Sequence, residues 1–242
     1  MTINEPRAIT GEAGVAIVAV MIGSTLLLAL GVSLALTTTL EVQIAGYQRD
    51  GIQTLHAADA ALARAVAELA RTDDWDAVLA GTVTSTFRDG GSGGRRLPDG
   101  SALDLGVETS RLRCDRDTPC GEATMDVPTA NRPWGRNNPR WQIYASGSLS
   151  DLLPDAVLAL RAYVVVWVAD DPAENDAEPL RDGGVPAVAD AANRDNPGRG
   201  AIWLRAHAYG PSGARRVVDA IVERDPRLPA NRVRVRVWRE IT

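Results

Sequence analysis

The chain has 242 residues, a net charge of -5 and a pI near 5.1, a balance that excludes the basic face a nucleic-acid binder carries. All 26 basic residues are arginine, which excludes Schiff-base and P-loop lysine chemistry. A chain of this length has room for one membrane helix and one domain able to bury its own core.

Residues Met1 to Gly14 read MTINEPRAITGEAG. They do not form a secretory signal, because the apolar run that follows is too long and no A-x-A-like site precedes a polar mature start. That run, Val15 to Leu40, contains no charged residue. Its length is enough to cross a bilayer core as a helix, and its Ser and Thr hydroxyls can bond to the helix's own backbone. The flanks carry little topological information, since Arg7 is offset by Glu5 and Glu12 on one side, and Glu41, Arg49 and Asp50 stand on the other.

From Glu41 to Thr72 the helical pattern continues. Ile52, Leu55, Leu62, Val66 and Leu69 form one apolar stripe at helical spacing, with Arg64, Glu68 and Arg71 placed on the other side. Alanines favour the helix, Gly46 and Gly51 weaken it, and Asp73-Asp74 end it. The expectation is one long helix, apolar all round at first and amphipathic afterwards, its stripe laid against a C-terminal head.

A leader ending at Gly14, an uncharged helix, then EVQIAGYQRD and LHAADAALARAVAEL together resemble the N-terminal region of PilX-type type IV pilus assembly proteins, the minor pilins. The resemblance covers roughly Gly14 to Leu69. It implies cleavage between Gly14 and Val15 by a prepilin peptidase, and packing of the helix against those of other pilin subunits after residence in the inner membrane. It also implies an extracytoplasmic head. The first and fifth positions of the implied mature chain are Val15 and Ala19, where most major pilins carry a bulky aromatic and Glu; the likeness is therefore to a minor subunit. A buried carboxylate in lipid needs a partner amine, and this chain lacks that pairing.

In the remainder, RDGGSGGRR reads as a flexible surface loop, since it lacks the G-K-[ST] ending of a phosphate loop. Residues 98–140 are rich in Pro, Gly, Asp and Asn and read as a long irregular connection. Cys114 and Cys120 within it form a small disulfide loop if the head lies in an oxidising compartment; two free thiols are the alternative, and a zinc site lacks further ligands. Strand signals follow at Trp141 to Ser148, Ala156 to Ala169, Ala201 to Tyr209 and Ala214 to Glu223, the last two joined by the turn Gly210-Pro211-Ser212-Gly213. A final strand spans Arg232 to Arg239, where Val233, Val235 and Val237 alternate with arginines and predict one buried and one wet face. The fold class is α+β, with an antiparallel sheet of four or five strands packed on the amphipathic half of the helix.

The two histidines, His56 and His207, have no Cys, Glu or second His at ligand spacing, and no hydrolase or zinc-protease motif is present. No catalytic residues are assigned, no enzyme is expected, and no cofactor beyond calcium is considered. Asp170, Asp171, Asp176 and Asp182 cluster between two strands and are the candidate calcium ligands, a solvated acidic loop being the alternative. The arginines of the last strand either face an anionic partner or guard a sheet edge. The expected function is that of a minor pilin-like structural subunit, single-pass in the inner membrane and in the pilus after assembly. A type II secretion pseudopilin and an unprocessed, membrane-tethered binding domain are the alternatives.

Overall fold

The computed structural model describes residues 12–131, 138–152, 161–171, 173–174, 178–183, 200–224 and 233–241. It is α+β: a 58-residue helix α1 (Glu12–Leu69) and a five-stranded antiparallel sheet. The chain divides into two units, Met1–Gln48 and Arg49–Thr242.

In the first unit every described side chain from Val15 to Gln48 is exposed. The apolar part has a mean hydropathy of 2.6 and none of it is buried, so this helix is long and apolar enough to cross a membrane.

The second unit is built on strands β3 (Gln142–Ser148), β4 (Tyr163–Asp170), β5 (Ala201–Tyr209), β6 (Arg215–Arg224) and β7 (Val233–Ile241), in that spatial order. Each strand pairs with its neighbour in sequence, so the sheet is a meander of consecutive antiparallel pairs. The expected stretch from Ala156 is shorter: Arg161 and Ala162 are not in the strand, and residues 153–160 lie outside the described residues. The β5–β6 connection is the turn that Gly210 to Gly213 predicted, closed by Gly210 N–H donating to Ala214 O at 2.7 Å.

One face of the sheet packs on α1. Ala57, Ala58, Ala61, Leu62, Ala65 and Leu69 meet Val164, Val166 and Val168 of β4, Ile202 and Leu204 of β5, and Val218 and Val222 of β6. The buried face of α1 differs from the expected stripe. Leu62 and Leu69 are in the core and Leu55 and Val66 at its margin, but Ile52 is exposed. The contact line is mostly alanine, whose small side chains let the helix axis come close to the sheet. Glu68 is also not on the solvent side: it accepts from Arg64 and Thr86 and ties α1 to the segment that runs beside β3.

The other face is covered by what was expected to be irregular chain. The hairpin β1 (Gly94–Arg96) and β2 (Ala102–Asp104) leads into helix α3 (Leu105–Cys114). Leu103 and Leu105 join Trp141, Ile143, Tyr163, Val165, Trp167 and Tyr209 in a second core. Asp104 caps α3, its carboxylate accepting from Gly106 N–H and Val107 N–H. A short helix α2 (Trp75–Leu79) follows α1 with Asp74 as its cap, and α4 (Glu122–Asp126) follows the cysteines. The glycine-rich loop is gathered around one side chain: Arg95 donates to the carbonyls of Gly91, Gly93 and Gly94 and to both oxygens of Asp89.

The two sheet edges differ. Beside β3, the segment from Ser85 to Asp89 adds backbone bonds: Ser85 N–H to Tyr144 O, Ser146 N–H to Phe87 O and Asp89 N–H to Ser146 O. Gly147 makes room for it, since a Cβ there would stand 2.8 Å from the Phe87 ring. β7 is the other edge, as its arginines suggested. Its valines do not share one face, however. Ile221 pairs with Val237 and Val222 with Val235, so Arg236 is an extra residue in the ladder. That bulge reverses the alternation. Val233 and Val235 turn toward the α1 side with Val222, while Val237 is on the opposite face with Ile221.

Candidate functional site

The residues on which the expected processing and helix packing rest lie in the first unit. The hydroxyls of the apolar span are all turned onto the helix where their bonds are described: Ser24 donates to Met21 O, Thr25 to Ile22 O, Thr37 to Ser33 O, Thr38 to Leu34 O and Thr39 to Ala35 O. A helix whose hydroxyl donors are satisfied by its own backbone in this way is suited to apolar surroundings. Gly14 and Val15, the candidate cleavage pair, are both inside α1, and Val15 is 70% exposed. A Cβ at Gly14, Gly23 or Gly31 would meet nothing within 4 Å, so none of these glycines is required by contacts inside this chain.

Cys114 and Cys120 are joined, with Cα atoms 6.5 Å apart, and no free cysteine remains. The bridge closes a loop at the C-terminus of α3, where Asp115 takes a left-handed conformation and its N–H donates to Arg111 O. Arg111 bonds Asp117 inside that loop and Glu108 one turn back along α3. Arg113 donates to Trp141 O at 2.7 Å and to Gln142 Oε1 at 2.9 Å, so the bridged end of α3 is fastened to the start of β3.

The candidate calcium ligands are not brought together among the described residues. Asp170 and Asp171 are buried at the end of β4, which also sets aside the solvated-loop alternative for these two. Asp171 N–H donates to Asp170 Oδ1, and Ala173 N–H to Asp171 Oδ1. Asp182 serves the entry to β5: its carboxylate accepts from Gly200 N–H, and its own N–H donates to Asp76. Burial raises the Asp182 carboxyl above its ordinary range. Asp176 lies outside the described residues. Among the described residues no three His, Cys, Asp or Glu side chains form a group able to hold a metal ion.

His56 is exposed on α1, whereas His207 is buried on β5. His207 Nδ1 lies 3.2 Å from the Tyr209 hydroxyl and 3.1 Å from an Arg215 nitrogen, and its ring is 4.7 Å from that of Trp167. With an arginine donating to Nδ1, the ring is held neutral: burial, then Arg215 and Arg205, push its pKa down to about 3. A second polar network, centred on the solvent-exposed Asp89, sits beside β3. Burial raises the pKa of Asp89, but bonds from Arg95, Ser146 and Tyr163 outweigh it and hold the carboxyl below its usual value. Tyr163 is pushed up to about 12, chiefly by burial. In both networks the described polar contacts run to neighbouring residues of the head.

Sequence reasoning missed a row of charges that crosses the sheet. Arg205 of β5 pairs with Asp219 of β6, which pairs with Arg239 of β7. Further along, Glu223 of β6 takes Arg234 and Arg236 of β7. The signal was the alternation of Arg and Val in β7 read together with two acids at a spacing of four in the preceding strand.

No protein-family model matches this chain, and comparison with curated proteins and with solved structures finds no match to it.

Proposed function

We propose that this chain is a minor pilin-like structural subunit, inserted in the inner membrane through its N-terminal helix and incorporated into a type IV pilus after a prepilin peptidase cuts between Gly14 and Val15. The observation that carries the reading is the uncharged, exposed stretch of α1 from Val15 to Leu40, which follows Gly14 directly and is continuous in sequence with an α+β head. Its chemistry is packing rather than bond making. Gly23, Gly31 and Ser33 supply small surfaces at which neighbouring helices approach closely. The disulfide fits an extracytoplasmic, oxidising location for the head. A type II secretion pseudopilin would use the same features in a different machine, and the proteins that co-purify with the mature chain separate the two.

The test is the N-terminal residue and intact mass of the protein extracted from native membranes. A chain starting at Val15 supports the proposal, and one starting at Met1 leaves an unprocessed anchor. A Gly14→Trp variant sharpens it. Because Gly14 has open space around it, a block in maturation of that variant is an effect on the protease and not on folding.

A further inference from the structure

We infer that the outer edge of β7 is a docking site for an extended segment of another polypeptide with alternating acidic and apolar side chains, added as a sixth strand. The inference is independent of whether the leader is cut.

β7 is a nine-residue edge strand. The opposite edge is closed by the segment from Ser85 to Asp89, but among the described residues no backbone group of Val233 to Ile241 bonds beyond β6. A row of N–H and C=O groups of this length, without backbone partners among the described residues, is a template for strand addition.

The side chains say which strand fits. On the face away from α1, the four arginines Arg205, Arg234, Arg236 and Arg239 share two carboxylates. Asp219 already gives both its oxygens to Arg205, at 2.7 and 2.8 Å, and Arg239 stands farther off at 3.6 Å. Glu223 is divided between Arg234 at 3.0 Å and Arg236 at 3.6 Å. The cluster therefore holds two positive charges more than negative, and the three β7 arginine side chains are at least half exposed, at 58%, 50% and 59%. On the α1 side of the same strand, Val235 and Trp238 are 39% and 42% exposed. The indole of Trp238 is held in place there by its N–H bond to Asp59 at 3.0 Å.

An incoming strand with period-two alternation would lay acids on the arginine face and apolar groups against Val235 and Trp238. A second copy of this chain does not supply that pattern. Its own β7 brings Arg234, Arg236 and Arg239 against one glutamate, Glu240, and so meets like charge with like. The arginines that guard the edge against self-pairing are thus the groups that select an acidic strand.

The experiment uses the full-length chain in detergent micelles and, as probe, an acetylated and amidated nonapeptide of alternating Glu and Val. An otherwise identical Arg–Val peptide is the control. Fluorescence anisotropy of the labelled peptide reads affinity, and hydrogen exchange by mass spectrometry reads where protection appears. We expect saturable binding of the Glu–Val peptide alone, with slowed exchange over Val233 to Ile241. Reversing Arg234, Arg236 and Arg239 to Glu should weaken binding about tenfold or more, and high salt should weaken it too. Glu223→Gln, which releases Arg234 and Arg236 from their internal partner, should instead tighten it, a gain that misfolding cannot produce. The inference is overturned by absence of saturable binding, equal binding of the Arg–Val peptide, protection that leaves β7 unchanged, or peptide-free dimers protected along β7.

Discussion

Arg205 grips Asp219 across the β5–β6 ladder with two guanidinium nitrogens, at 2.7 and 2.8 Å, while its guanidinium carbon lies 5.1 Å from the ring centres of both Trp141 and Trp203. Asp219 is 1% exposed, so its charge is tolerated because this fork meets it. Replacing Arg205 with Met keeps much of the stem packing but strands the carboxylate, with Arg239 at 3.6 Å as its remaining ion-pair partner among the described residues. The expected loss is about 3 kcal/mol in denaturant unfolding. The double variant Arg205→Met, Asp219→Leu should recover most of it. A single Arg205→Met protein as stable as the original would show that the pair is a bystander.

The neutral state of His207 makes stability depend on pH in a definite direction. Its pKa falls from 6.5 to about 3 on folding, because the ring is buried and faces Arg215 and Arg205. The unfolded chain therefore binds a proton that the folded chain refuses between those two values. Stability from this group is complete above pH 6.5 and is lost as pH falls toward 3, at up to about 1.4 kcal/mol per pH unit. At pH 5 the wild-type protein should be about 2 kcal/mol less stable than at pH 7 on this account. In a His207→Gln variant that part of the slope should vanish, as read from urea midpoints at the two pH values.

How much of this was legible in the sequence depends on which signal each element uses. The long helix and the strands at Trp141, Ala201, Ala214 and Arg232 were readable because their apolar content and β-branched runs are strong. The face of α1 was misread because the pattern was weighed by size. Ile52 is large and exposed, whereas Ala57, Ala58, Ala61 and Ala65 are small and buried. Helix α3 was missed because it buries Glu108, Thr109 and Ser110 among few large apolar groups. Two of these polar groups are satisfied within reach: Thr109 Oγ1 accepts from the Trp167 indole at 2.9 Å, and Glu108 from Arg111. Asp104 and Asp74 are cap residues that mark the starts of α3 and α2, and those signals were available. The reversal at Arg236 was not readable, because a bulge is set by the partner strand.

The Phe87–Gly147 contact is a steric prediction. The Phe87 ring crosses β3 where Gly147 has no side chain, and a Cβ would come within 2.9 Å of two ring atoms. Gly147→Ala should push the ring outward and loosen the bonds that close the β3 edge. The expected cost is about 1–3 kcal/mol, the range for overpacking a filled site. Hydrogen exchange should rise at Ser146 N–H and Asp89 N–H, with β6 and β7 unaffected. A Gly147→Ala, Phe87→Leu double variant should regain part of the loss.

The disulfide acts on one face of the sheet rather than on the whole head. It closes a loop with a sequence separation of 6, and the chain-entropy estimate for so short a loop is about 2 kcal/mol. What it restrains is the C-terminal turn of α3, from which Arg113 reaches Trp141 O and Gln142. A Cys114→Ser, Cys120→Ser variant should therefore lose about 2 kcal/mol in global stability. Its amide exchange should rise first along α3, from Leu105 onward. The α1 face of the sheet, where Leu62 and Leu69 meet β4 and β5, should keep its protection until global unfolding, because the two cores lie on opposite sides of the strands. Simultaneous loss of protection on both faces would mean that α3 and α1 stabilise the sheet as one cooperative unit, and the bridge would then be a determinant of the whole head.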